Sequence, residues 1–359
     1  MRKIRCLAML SAAILVMLLY GCDHHKEAAE ETNIAEEKIQ IGLSFDSFVI
    51  ERWQRDRDIF VSTAQDLGAE VNVQNANGNY KEQISQIEYL IEKKMDAIVI
   101  ITADSDALSD VLKKAKEAGI VTIAYDRLVR NADVDLYLSI DSEEVGRLMA
   151  ETLVEEVPEG GNIVIIYGSP VDHNVTLMEK GVQEVLEESS LHVIYTAYAD
   201  NWLAEEAFHA VNSALAITEE IDGVLCGNDD LASQAFRALS ENRLAGKVVL
   251  TGQDAELAAC QRIVEGTQTM TVYKQVDKLA KLAAEYAVKM VRGEEVDLSA
   301  TVYDGSQDVP YVKLEAIAVT KDNIDEVIIK GGFQQKEDVY LNVPQEQKDS
   351  RESKSLSNK

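Results

Sequence analysis

The chain has 359 residues, 46% of them apolar, and a formal charge of −28. That acidity excludes a nucleic-acid partner, whose phosphates need a basic surface, while the apolar share is ample for a core. At roughly 150 residues to a domain, the length points to two domains.

The chain opens with Arg2, Lys3 and Arg5, then an apolar run from Leu7 to Leu19 broken only by Ser11. A basic start, a short apolar stretch and a small residue before a cut make residues 1–21 a secretory signal peptide. The run is too short for a comfortable transmembrane span. The stretch Leu19-Tyr20-Gly21-Cys22 resembles a bacterial lipobox. That resemblance implies cleavage before Cys22, a diacylglycerol on its thiol, and an extracytoplasmic, membrane-anchored protein. Loss of the three basic residues takes the mature chain near −31 before its termini are counted. Residues 22–38 are charged and poor in aromatics and read as a flexible tether, reaching roughly 20–25 Å. At the far end, residues 336–359 are expected to be a disordered tail, the stretch from Gln345 being almost wholly polar.

Between these lies a regular alternation. Strands are expected at Ile39–Leu43, Val71–Gln74, Ala97–Ile101, Val121–Tyr125 and Leu136–Ile140, with helices at 50–67, 80–94, 107–118 and 143–154. The pattern restarts with strands at 163–167, 192–198, 223–226 and 248–251 and helices at 174–188, 205–216, 231–241 and 256–264. It closes with 269–273, 276–291 and 301–303. Short apolar runs alternating with periodic helices mean parallel sheets covered on both faces. Two doubly wound sheets of about six strands fit better than one long sheet. Cys226 and Cys260, the cysteines beyond Cys22, stand in apolar settings. Buried thiols are the simpler reading, and a disulfide stays open. No spaced Cys/His set suggests zinc, and no metal or cofactor is expected.

In open parallel sheets, ligands bind beyond the carboxyl ends of the strands. Those ends carry Asp46; Asp126 and Arg127; Asp172, His173 and Asn174; Asn201 and Trp202; Asn228 and Asp229; Gln253 and Asp254; and Lys274, with Arg52 and Trp53 opening the first helix. Carboxylates, amides and cations converging in this way suit a polyol, each of whose hydroxyls both donates and accepts. Trp53 and Trp202, the two tryptophans of the chain, suit the apolar faces of a pyranose. Each residue alone has a plainer reading: Asp126 as a helix cap, Arg127 as a surface ion pair, Trp53 as core. Asp229-Asp230 reads as an acidic helix start rather than a metal site. No motif for a nucleophile, phosphate loop or zinc hydrolase is present, and His173 is the one conceivable base.

At these residues the chain resembles the D-xylose-binding proteins of bacterial sugar ABC importers, within the ribose/galactose-type superfamily. The likeness runs from about Ile39 to about Gly332. It rests on Glu51-Arg52-Trp53-Gln54-Arg55-Asp56-Arg57-Asp58, Ala124-Tyr125-Asp126-Arg127, Gly168-Ser169-Pro170-Val171-Asp172, Gly252-Gln253-Asp254-Ala255 and Gly266 to Lys274. The resemblance implies a type I periplasmic binding protein fold, with two doubly wound lobes joined by a three-strand hinge. The first lobe would hold 39–141 and about 276–306, the second 142–275 and about 307–335. It implies sugar contacts from Arg52, Asp126 and Arg127 on the first lobe, and from Asn174, Asn228, Asp254 and Lys274 on the second lobe and hinge. Trp53 and Trp202 would be aromatic walls, and Asp46 a further sugar-binding residue. The implied partners are a monosaccharide, expected to be D-xylose, and membrane ABC permease subunits. An alternative is presentation of the bound sugar to a sensor kinase ectodomain. The chain departs from the pattern at His173 and Asn201, at Gly227 in place of Ser, and at Gln275 in place of Pro.

Overall fold

The computed structural model describes residues 38–298 and 300–344. The expected signal peptide, Cys22, the tether up to residue 37 and the tail from 345 lie outside the described residues. No helix among the described residues is long and apolar enough to cross a membrane.

The chain folds as strands β1 (Gln40–Phe45), β2 (Glu70–Asn75), β3 (Ala97–Ile100), β4 (Val121–Tyr125) and β5 (Leu136–Ile140), alternating with helices α1 (Arg52–Asp66), α2 (Tyr80–Glu92) and α3 (Ser109–Glu117). Then follow α4 (Ser142–Glu156), β6 (Gly161–Tyr167), α5 (His173–Leu186), β7 (Leu191–Tyr198), α6 (Glu205–Ile217), β8 (Gly223–Cys226), α7 (Asp229–Glu241), β9 (Val249–Gln253), α8 (Leu257–Glu265) and β10 (Met270–Tyr273). The last elements are α9 (Val276–Val291), β11 (Ala300–Tyr303), β12 (Asp308–Leu314), β13 (Ile317–Thr320) and α10 (Lys336–Val339).

Two sheets result, in the orders β11-β12-β5-β4-β3-β1-β2 and β13-β10-β9-β8-β6-β7. The central strands β3, β4 and β5 are buried almost throughout, whereas the edge strands β2, β7 and β11 carry exposed positions. This is the pattern expected when helices cover both faces. Two pairings are antiparallel, β11 with β12 and β10 with β13, and both lie at sheet edges. Cys226 and Cys260 are free buried thiols rather than a disulfide, and burial pushes both up.

The chain passes between the sheets three times: at Asp141, at Lys274-Gln275 and at Glu315-Ala316. The crossings touch one another. Lys313 donates to Asp141 at 2.9 Å, and Gln275 donates to the Glu315 carbonyl at 3.2 Å. Gln275 has φ 41, which proline's ring forbids. Glutamine therefore gives this crossing a backbone that proline could not adopt, and a side-chain tie.

Two expected boundaries are corrected. Strand β12, at 308–314, joins the first sheet, so the final return to the second comes at Glu315 rather than near 307. Residues 336–344 are not a disordered tail: Val339, Tyr340 and Val343 are buried with Cys260, Ile263 and Phe333.

Asp304, in the turn between β11 and β12, locks the outer edge of the first sheet. Its Oδ1 accepts from Ser306 N and Oγ and Gln307 N, and its Oδ2 from Ala132 N and Asp133 N, at 2.7–3.0 Å. Burial raises this carboxyl, but the donors outweigh burial and hold it at about 2. A depressed carboxyl contributes stability above its ordinary value and loses it as pH falls through the folded value. Asp304→Asn is therefore expected to cost about 2 kcal/mol at neutral pH. It should also flatten the acid loss between pH 3.8 and about 2, read by urea unfolding across that range.

Candidate functional site

The strand ends converge. β4 delivers Asp126 and Arg127, β6 leads to Asp172 and Asn174, and β7 to Trp202. β8 leads to Asn228, β9 to Asp254 and β10 to Lys274. With Arg52 and Trp53 from the start of α1, all of these line one cavity, joined by Ile50, Ser142, Met178 and Gln253. The free space among them is about 20 Å³, room for one water molecule. Asp46 stands apart. It lines an adjoining groove of about 260 Å³ with Asn201 and reaches the cavity through Arg127.

The cavity is held by charged contacts between the sheets. Arg52, almost fully buried, donates to Asp126 at 2.8 Å, to Asp56 at 3.2 Å and to Asp254 of the other sheet at 3.4 Å. Arg127 pairs with Asp46 and with Asp172 of the other sheet, both at 2.7 Å. Lys274 pairs with Asp254 at 3.0 Å. Asn174 donates to the Asp126 carbonyl at 3.0 Å. Burial pulls against the charge on Arg52, but Asp126, Asp56 and Asp254 outweigh it and raise its pKa. Burial likewise lifts Asp126, but Arg52, Lys274 and Arg127 prevail and hold it below the usual carboxylate range. For Asp56 burial wins, and its carboxyl sits above that range despite Arg52.

Three further features mark the cavity. First, its residues occupy costly backbone: Asp126 has φ 63, Trp202 φ 59 and Asp254 φ 100. Non-glycine residues persist there only where their surroundings over-determine them. Tyr137 and Ser139 do this for Asp126, donating to its carbonyl at 3.0 and 2.6 Å. Second, Trp53 Nε1, Asn174 Oδ1 and Asn228 Nδ2 are buried without a hydrogen-bond partner. These are two donors and one acceptor lining one cavity, Trp53 from the first sheet's side and the two asparagines from the second's, and a buried polar atom without a partner calls for an explanation. Third, the aromatic rings are fixed. Trp53 packs edge-on against Phe45, with centroids 6.2 Å apart, and Trp202 donates to Asp172 at 3.2 Å. The Arg127 guanidinium lies 5.5 Å from one indole and 5.9 Å from the other.

Gly168 makes room for Trp202, because a Cβ there would run into the indole. Gly168→Ala is expected to displace the ring and destabilise the fold by about 1–3 kcal/mol. Denaturant unfolding, together with a shift in tryptophan emission, checks this.

Sequence reasoning passed over Asp56, which lies in a quoted motif but at no strand end. It anchors Arg52 and accepts from the Tyr125 hydroxyl. Asp172, at the end of β6, caps α5 and pairs with Arg127, a role that its position alone does not reveal. His173 does not line the cavity; its backbone N–H bonds Ser105 at 3.0 Å. Asn201 has φ 53, the left-handed region that asparagine tolerates.

The family model described as "Periplasmic binding protein domain" matches residues 41–295. The chain is 47% identical to the D-xylose-binding periplasmic protein of Haemophilus influenzae, over 84% of this chain and 92% of that protein. It is 45% identical to the D-xylose-binding periplasmic protein of Escherichia coli, over 84% of this chain and 93% of that protein. Among solved structures, a carbohydrate transporter solute-binding protein from Chloroflexus aurantiacus in complex with D-glucose superposes with a TM-score of 0.77. It is 26% identical and covers 83% of this chain and 98% of its own.

Proposed function

The chain belongs to the periplasmic binding protein family, and from that premise we propose that it captures D-xylose outside the cytoplasm and delivers it to an ABC permease. Cys22 would carry the lipid that tethers it to the membrane. The observation that carries the sugar reading is the cavity wall. Trp53 Nε1, Asn174 Oδ1 and Asn228 Nδ2 wait unpartnered beside Asp126, Asp254, Arg52 and Lys274. A pyranose supplies a partner of either kind to each of these atoms, and its C–H faces suit the two indoles. The identity to D-xylose-binding proteins supports the pentose.

The mechanism is capture without covalent chemistry. About 20 Å³ does not admit a sugar, so the lobes must part and the pairs Arg52–Asp254 and Arg127–Asp172 must open. Sugar hydroxyls then take over as partners on both sides, and closure follows from the tighter binding of the closed state. The permease would recognise that state.

Thermal unfolding against D-xylose, L-arabinose, D-ribose and D-glucose tests this. D-xylose at a hundredfold excess over its Kd should stabilise the fold by about 2.7 kcal/mol. A shift with another sugar alone would move the preference and keep the mechanism. The absence of any shift would sink the sugar reading.

A further inference from the structure

Beside the cavity but outside it, three acidic side chains come together. Glu51, Asp230 and Glu256 each offer a carboxylate oxygen, and these oxygens lie within 4.8 Å of one another. They come from three places in the fold: Glu51 precedes α1 against the first sheet, while Asp230 in the first turn of α7 and Glu256 just before α8 belong to the second. Glu256 is only 7% exposed, and its Oε1 is buried with no hydrogen-bond partner. Asp230 Oδ2 is likewise buried without a donor, though Asp230 as a whole is half-buried and its carboxyl lies against that of Glu256. Among the described residues, no lysine or arginine forms an ion pair with any of the three, although the Arg262 guanidinium is close enough to feel the Glu256 carboxylate. Neighbouring Asp229 brings no relief. It is itself a buried carboxylate, already satisfied by Thr271, Gln268 and the Glu256 N–H.

Like charges this close and this dry repel strongly. A cation gives the unpartnered oxygens of Asp230 and Glu256 a partner and cancels the repulsion. All three ligands are hard oxygens from separate segments in an irregular arrangement, and exposed Glu51 leaves one side open to water. Calcium accepts irregular oxygen shells completed by water, whereas magnesium demands a near-ideal octahedron. We propose that Glu51, Asp230 and Glu256 form a calcium site that bridges the two halves of the protein.

The site has a second consequence, which rests on the sugar reading above. Glu51 adjoins Arg52, and Glu256 lies two residues from Asp254, so a bridging ion holds together two segments that line the sugar cavity. Calcium and sugar then favour the same closed state, and each must tighten the other by the same factor.

The test is calorimetric titration of calcium chloride into the purified full-length protein, freed of metal by chelation. One saturable site is expected. Glu51→Gln, at an exposed position that leaves the core intact, should weaken it about tenfold or more, and Asp230→Asn likewise. D-xylose affinity should be about fivefold or more weaker in EDTA than with calcium. The site is overturned if calcium gives no saturable heat, if Glu51→Gln binds it unchanged, or if magnesium binds as tightly. It is also overturned if xylose affinity ignores EDTA and rises on acidification, because a proton shared by the carboxyls would then be doing the bridging. Calcium binding without xylose binding would leave the site standing and remove the sugar reading. Xylose binding without calcium binding would do the reverse.

Discussion

Asp126→Ala is expected to weaken D-xylose binding by about 30-fold or more while leaving the protein folded. The carboxylate accepts from Arg52 at 2.8 Å in a cavity of only about 20 Å³, and it stays ionised because three cations surround it. A charged hydrogen-bond partner in such a place is worth about 2 kcal/mol or more, and each 1.4 kcal/mol is about tenfold in affinity. The main chain at 126 is held independently of the side chain, by Tyr137 and Ser139 on its carbonyl. The alanine variant therefore keeps the loop, apart from about 1–2 kcal/mol of strain at a positive φ. Asp126→Asn tolerates that φ and removes only the charge, so it should fall between the two. Calorimetry on all three proteins decides the matter. Equal affinities would remove Asp126 from the binding surface.

Arg52→Met should do more, abolishing measurable binding and destabilising the fold by about 3–5 kcal/mol. Removing one member of a buried ion pair leaves its partners uncompensated, and here Asp56, Asp126 and Asp254 all lose their shared cation. Asp56 is the most deeply placed, and burial already holds its carboxyl above the usual range. Without Arg52 it must rise further. A raised carboxyl favours the folded state when protonated, so the penalty should be full above that raised value and shrink as pH falls from it towards the ordinary carboxylate range. Adding Asp56→Asn should return part of the stability and none of the binding. Urea unfolding at neutral and mildly acidic pH reads the first expectation. Failure of the double variant to recover any stability would place the defect elsewhere.

The strand-end rule found this cavity because it depends on topology alone, and topology was written in the alternation of apolar runs and periodic helices. It did not settle what each residue does. Asp172 and Asn228, like any Asp or Asn after a strand, could cap a helix or face the cavity, and each does both. Asp172 caps with Oδ1 and meets Arg127 and Trp202 with Oδ2; Asn228 caps with Oδ1 and turns its amide to the cavity. Asp126 caps nothing; a loop follows it. The ion pair between Arg52 and Asp254 spans 202 residues, and no spacing rule reaches that far. Strands β12 and β13 escaped notice because β12 is not an apolar run: it alternates, carries Pro310, and pairs antiparallel with an edge. The segment 336–344 looked like tail because its charged composition hides three apolar anchors, Val339, Tyr340 and Val343.

The three crossings have a consequence for the order in which the protein is made. Strand β5 waits for its neighbour β12, and β10 for β13, until the last part of the chain has been synthesised. Each sheet's span includes strands or crossings of the other, so a truncation before Leu314 leaves neither sheet complete. Such long-range pairing slows folding, because loops must close before their contacts reward them. A nascent chain therefore stays open almost to its end, the condition in which an export channel can still thread it.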